Sequence, residues 1–372
     1  FNSSTCTCEA CTPPKVHNEE KTECVCPANS CATDGSQTTN SDCSCSAFCG
    51  INEVWDSQQQ ACVSTKCTDD MIKLYNAGDL AKIGRDAKYP LSGRYCLMNN
   101  IDLKTDQTLP ATHKTAEGWI PIGIFSGVFE GNDKIISNLR INRPTGIQGL
   151  SQGLFSSMSS GSNINNLGVT NIDIYALDAG GLVSFNSGTI TNCYVTGSVR
   201  AGLLVFYSAG GLVACNSGAI TNSYAAVNVG GPISPGGLVG RNDNGTITNS
   251  YATGSVDIAN SYSGNTVLSV CSWGGGLVGL NSDGTITNSY ATAKVSRGDK
   301  CHGLGGLVGW NYGGTITNSY WDKQTSGQAT SDGGKGKNTA DMKTPATFSG
   351  WDTTIWSLVQ GQYPKLKGVG GQ

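Results

Sequence analysis

One motif recurs through the second half of the chain and limits what it can become. It reads Gly-Gly-Leu-Val-x-x-Asn, then a Gly corner, then Thr-Ile-Thr-Asn-Ser-Tyr, at residues 180–194, 210–224, 236–251, 275–290 and 305–320. Cys193 replaces the Ser in the first copy, and Ala219 replaces the first Thr in the second. Counted from the Leu of each Gly-Leu-Val (Leu182, Leu212, Leu238, Leu277, Leu307), the steps are 30, 26, 39 and 30 residues, so insertions vary while the motif holds. Weaker copies run from Gly153 and Gly127, making about seven units. A period near 30 with short β-rich segments and Gly/Asn corners marks a solenoid. A single unit cannot bury its own Leu, Val and Ile; stacking supplies the core. Each strand then pairs in parallel with its equivalent one coil away, about 4.8 Å along the axis, and seven coils make a rod of roughly 35 Å. A helical solenoid is rejected, because the unit is built of Gly, Asn, Thr and β-branched residues without a 3.6-residue period.

The expected fold is all-β: a right-handed parallel β-solenoid of about seven coils, preceded by a small disulfide-rich module and a short helical cap. The corresponding boundaries are 1–67 for the Cys-rich module, 68–119 for the helical cap and first strand, 120–322 for the repeats and 323–372 for a C-terminal cap. Within 68–87, Ile72, Tyr75, Leu80 and Ile83 have helical spacing interrupted by Gly78, which predicts one short helix or two turns. Residues 95–103 read as the first strand.

Eleven of the 16 cysteines fall in the first 67 residues, in C-x-C clusters with few large apolar residues between them. Cross-links must replace a core there, and disulfides are preferred to zinc, whose sites favour C-x2-C pairs with His. Eleven is odd, and Cys96 is the candidate to complete six pairs. Cys271 and Cys301 each lie six residues before the Leu of their own unit, so they occupy the same place one coil apart and are expected to form a disulfide. Cys193 and Cys215 remain as a residual pair, although their register differs by eight residues.

Only 14 % of residues are charged and the net charge is −3, a field too weak for nucleic acid or an anionic membrane surface. No apolar run of 18 residues exists to span a bilayer. The numbering begins at Phe1 rather than Met, which suits a mature chain whose secretory signal has been removed, although a fragment boundary would look the same. With the cysteine load, this points to an extracellular or cell-surface location. Sequons at Asn2 and Asn244 allow glycosylation in a eukaryotic host.

The repeating unit resembles the GLUG repeat of bacterial surface proteins and of some immunoglobulin-A protease precursors. The flanks resemble such proteins too: Trp119-Ile-Pro-Ile-Gly123 with residues 129–132 before the clean copies, and Tyr320-Trp-Asp322, Trp351-Asp352 and Tyr363-Pro-Lys-Leu366 after them. The likeness covers about residues 70–368 and leaves out the Cys-rich head. It implies architecture and an extracellular setting, since the family shares no single activity.

Metalloproteases that carry this repeat need His-Glu-x-x-His to set two zinc ligands and a base on one helix face. The chain has no such motif, and His17, His113 and His302 lie apart, which reads as solvated surface histidines. Parallel β-helices also carry polysaccharide-cleaving carboxylates, but the only regular acids are Asp243 and Asp283, in Gly corners where Asp is ordinary turn chemistry. A calcium loop is the minority reading there. There is no G-x-S-x-G elbow. The expectation is therefore no enzyme, no cofactor and no metal, with hydrolysis of neither peptides nor common polysaccharides.

Three rows repeat. Asn186, Asn216, Asn242, Asn281 and Asn311, and Asn192, Asn222, Asn249, Asn288 and Asn318, suit stacked corners. Tyr194, Tyr224, Tyr251, Tyr290 and Tyr320 read as packing on the coil in preference to sugar stacking. Period-2 alternation in Thr189-Ile-Thr191, Thr246-Ile-Thr248, Thr285-Ile-Thr287 and Thr315-Ile-Thr317 sends Ile inward and both Thr outward, building two Thr columns broken at Ala219. Such a face suits sugar binding, lateral assembly or ordered water, against the plain reading that Thr is simply favoured on an exposed strand. The functional expectation is a secreted or cell-surface structural and adhesive protein, including the subunit of an extracellular filament, with itself or an extracellular glycan as partner. The alternatives are a glycan- or surface-binding module and, behind it, a β-helix carbohydrate-active enzyme.

Overall fold

The computed structural model describes residues 66–145, 150–202, 207–258, 273–297 and 303–372, with the backbone of short strands elsewhere. The chain divides into two units, Phe1–Thr68 and Asp69–Gln372. Among its described residues the first contains three antiparallel strand pairs: Val16–His17 with Cys24–Val25, Gln37–Thr39 with Cys45–Ala47, and Glu53–Asp56 with Ala61–Ser64. Cys67 and Cys96 are both disulfide-bonded. Cys271 and Cys301 lie outside the described residues, as do the side chains of the other head cysteines.

The second unit is a parallel β-solenoid. A seven-stranded sheet, here the valine sheet, runs in order through Ile122–Phe125, Phe155–Met158, Val183–Asn186, Val213–Asn216, Val239–Asp243, Val278–Ser282 and Val308–Tyr312, one strand per coil. The threonine sheet has nine strands and includes every Thr-Ile-Thr triplet. The tyrosine sheet has eleven, each clean repeat's strand opening on its Tyr. Leu182, Leu212, Leu238, Leu277 and Leu307 stack down the core with Ile190, Ile220, Ile247 and Ile286, all fully buried. Burying such a side chain contributes about 1.5–3 kcal/mol, which one isolated coil has no means of obtaining.

The motif's polar residues are structural at close quarters. A Cβ at Gly181, Gly211, Gly237 or Gly276 would strike the carbonyl oxygen of the equivalent glycine one coil on, so the second Gly of these four pairs is required by backbone approach; at Gly306 it would strike the Trp321 ring. Asn192, Asn222, Asn249, Asn288 and Asn318 turn the corner after Thr-Ile-Thr with φ between 45° and 54°, the left-handed region that Asn tolerates. The other Asn row is buried from Asn186 to Asn281 and half-exposed at Asn311, each Nδ2 donating to the next Oδ1: Asn186 to Asn216, Asn216 to Asn242 and Asn242 to Asn281 at 2.7 Å, and Asn281 to Asn311 at 2.6 Å. Each Nδ2 also donates to a carbonyl at its own corner, Gly188, Gly218, Gly245, Gly284 or Gly314. A serine ladder, which the sequence reading omits, runs beside it: Ser223, Ser250 and Ser289 N–H donate to the Oγ of Ser250, Ser289 and Ser319 at 3.1–3.2 Å.

Two expectations are corrected and a third is refined. The one short helix expected within 68–87 is Ala77–Lys82, capped by Asn76 accepting from Asp79 N–H, whereas Ile72 lies before it in a strand, Ile72–Leu74, that pairs with Arg94–Leu97. Residues 95–103 form two strands on different sheets, Arg94–Leu97 and Ile101–Asp102, so neither is the first. Cys193 and Cys215 are free thiols. Cys193 occupies the inward corner position of the serine ladder and Cys215 lies on the valine sheet beside Phe185 and Arg241, so the register difference keeps them apart.

Candidate functional site

The threonine sheet pairs in strict register. One column is Thr189, Ala219, Thr246, Thr285 and Thr315; the other is Thr191, Thr221, Thr248, Thr287 and Thr317, without a break. Thr246, Thr315 and Thr317 are exposed and the remaining threonines half-exposed, while the Ile between them points inward. Thr221 is the member that the four complete triplets leave out; its signal is the Ala219-Ile-Thr221 variant of the motif. Towards the N-terminal end Asn163 and Asn165 continue the two columns. The surface carries hydroxyls and no charge, and Thr287 and Thr317 Oγ1 are 3.1 Å apart. β-Branched side chains have few rotamers to lose on contact, so the array is already ordered.

The tyrosine row offers no such surface. The rings stack at 5.1 Å (Tyr194 on Tyr224), 4.7 Å (Tyr224 on Tyr251) and 4.9 Å (Tyr251 on Tyr290), but all five tyrosines are buried under the C-terminal segment. Lys335–Lys337 first extends the tyrosine sheet beside Tyr320–Asp322. The chain then returns along the coils, laying Phe348, Trp351, Trp356, Leu366 and Val369 over the rings. Tyr290 Oη donates to Pro364 O at 2.7 Å and Tyr224 Oη to Gly370 O at 2.8 Å. Burial pushes the Tyr224 and Tyr290 phenols above their ordinary range. The sugar-stacking reading of this row is thereby overturned.

His113 is not a solvated surface histidine, as expected from sequence, but 4 % exposed, its ring 4.5 Å from that of Trp119. The side chains of His17 and His302 lie outside the described residues. Asp243 pairs with Arg241 at 3.0 Å and bridges through its backbone to Asp283. Among the described residues no three His, Cys, Asp or Glu side chains gather to hold a metal ion. Among the same residues no helix is long and apolar enough to cross a membrane.

The GLUG motif matches this chain three times, at residues 175–200, 231–259 and 274–296. The protein therefore carries GLUG repeats on a parallel β-solenoid. None of the curated proteins matches it. Among solved structures it is similar to a putative immunoglobulin A1 protease from Bacteroides ovatus, with a TM-score of 0.53, 17 % identity, and coverage of 81 % of this chain and 94 % of that one. A structure named IgA1 Protease matches with a TM-score of 0.49 and 21 % identity over 70 % of this chain and 20 % of its own length. At 17 % identity the likeness to the first is one of fold alone.

Proposed function

We propose that the protein is a secreted or cell-surface structural and adhesive rod, including the subunit of an extracellular filament, and that the threonine face is its contact surface. The observation that carries this reading is the unbroken column from Thr191 to Thr317, in register and open, while the Asn186–Asn281, Ser and Tyr rows are spent inside the fold. An uncharged, rigid hydroxyl lattice makes many weak hydrogen bonds at once, and affinity gained by repetition suits adhesion to a surface or to another rod. The second reading, a glycan-binding module, uses the same face. The names of the structural neighbours raise hydrolysis of peptides as a third, and the purified protein is expected to show none.

The test pairs electron microscopy of native material with an adhesion assay on the Thr248→Lys/Thr287→Lys variant. Filaments, and adhesion lost in a variant whose circular dichroism is unchanged, are expected. Dispersed rods, with adhesion undiminished in the folded variant, would overturn the proposal.

A further inference from the structure

A cavity of about 560 Å³ lies against the early coils, lined by residues between Leu103 and Asp173 and by no member of the threonine columns. Its size falls within the usual range for small-molecule sites, roughly 300–1,000 Å³. Leu103, Leu109, Leu139 and Ile172 give it an apolar floor, all of them buried. Around the opening stand three cations, Lys104, Lys114 and Arg140, and one carboxylate, Asp173, which faces Arg200 at 3.9 Å. The rim therefore selects for negative charge.

Several polar groups lining the cavity are held in place by one hydrogen bond and keep another atom free. His113 Nδ1 accepts from Ile120 N–H at 3.1 Å, so the proton of the neutral ring sits on Nε2. Burial, reinforced by the Arg85 and Arg143 guanidinium groups, pushes the imidazole down to about 4, so it stays a neutral donor at physiological pH. Nε2–H has no protein partner among the described residues, and His113 lines the cavity. Nε2 is not among the fully buried unpaired atoms, so it opens onto the cavity, where it can donate to a ligand. On the tyrosine-sheet side Asn171 Nδ2 donates to Asn138 Oδ1, and Asn138 Nδ2 to Asp102 Oδ1 at 2.6 Å, which fixes both amides. Asn171 Oδ1 and the Thr115 hydroxyl remain to take hydroxyl protons.

We infer that this cavity binds an acidic saccharide, a pyranose ring carrying one carboxylate. The ring's C–H face fits the leucine floor, its hydroxyls fit Asn171, Thr115 and His113 Nε2–H, and its carboxylate fits the lysine and arginine rim. A bare phosphate would leave the floor empty. A fatty acid would leave the His113 and Asn171 groups unpaired.

Saturation-transfer NMR on the full chain tests this with three probes: D-glucuronate, D-glucose and hexanoate. Transfer to glucuronate alone is expected, with competition quenching Trp119 fluorescence, and affinity falling about tenfold or more in the Lys104→Gln/Lys114→Gln variant. Both lysines are exposed, so that variant keeps its fold. Equal transfer to glucose, equal transfer to hexanoate, or unchanged glucuronate affinity in the folded variant would each overturn the assignment. Loss of adhesion by the threonine variant leaves this site untouched, so the two proposals fail separately.

Discussion

Replacing Asn242 by Ala removes the centre of the buried ladder. Asn242 accepts from Asn216 Nδ2 at 2.7 Å and donates to Asn281 Oδ1 at 2.7 Å and to Gly245 O at 3.0 Å, and its side chain is fully buried. Three hydrogen bonds at about 0.5–1.5 kcal/mol each, with Asn281 Oδ1 and Gly245 O left without this donor in the interior, give a loss of about 3–5 kcal/mol. That is a large part of an ordinary domain's stability. Asn311, in the last coil, makes the same type of contacts but is half-exposed, so water takes over its lost bonds and Asn311→Ala should cost only about 1 kcal/mol. Urea unfolding followed by far-ultraviolet circular dichroism reads both, the midpoint shift multiplied by the slope giving the difference. A mid-array break also weakens coupling between neighbouring coils, so the Asn242 variant is expected to unfold over a broader range. Equal costs for the two variants, or a loss under about 1 kcal/mol for Asn242→Ala, would refute the view that the ladder holds the coils together.

Trp356 is fully buried, with ring centroids 4.5 Å from Trp351 and 6.0 Å from Tyr290. Trp356→Ala should remove about 3–5 kcal/mol of packing and loosen the C-terminal segment, seen as lost near-ultraviolet tyrosine signal with the far-ultraviolet spectrum kept; an unchanged near-ultraviolet spectrum would contradict this. His113 has its folded-state pKa lowered from 6.5 to about 4. The unfolded chain therefore binds this proton first as pH falls, so stability is full above 6.5, declines through the window down to 4, and is lower by about 2 kcal/mol at pH 5. His113→Phe should flatten that slope in denaturant midpoints measured between pH 7 and 5, and a wild type without the slope would sink the reading.

Much of the solenoid is legible in the sequence because its contacts repeat at the period of the chain. Leu238 meets Leu212 and Leu277 for the same reason that the motif recurs, so register, the inward Ile and the outward Thr follow from spacing alone. The serine ladder escaped because Ser223 and Ser250 look like turn residues until an N–H one coil away is seen to need an acceptor. The C-terminal segment escaped because its contacts span 74 residues from Tyr290 to Pro364 and 146 from Tyr224 to Gly370, with no local pattern to say which face Trp351 and Trp356 cover. Ile72 was misplaced because helical spacing and a short buried strand differ only in the partner, here Tyr95. His113 gave no sign of burial, since the N–H it caps and the ring it meets are set by the turn at 113–120.

Spin labels at Thr191 and Thr317 test the in-register stack most directly. The two residues are 126 positions apart in sequence and four coil steps apart in one column, Thr191 to Thr221, Thr248, Thr287 and Thr317. At about 4.8 Å per step their Cα atoms should be about 19 Å apart. Pulsed electron–electron resonance is expected to give a single narrow distribution near that value, widened only by the label arms. A broad distribution, or one centred well beyond 30 Å, roughly six coil steps, would contradict the stacking on which the threonine face depends.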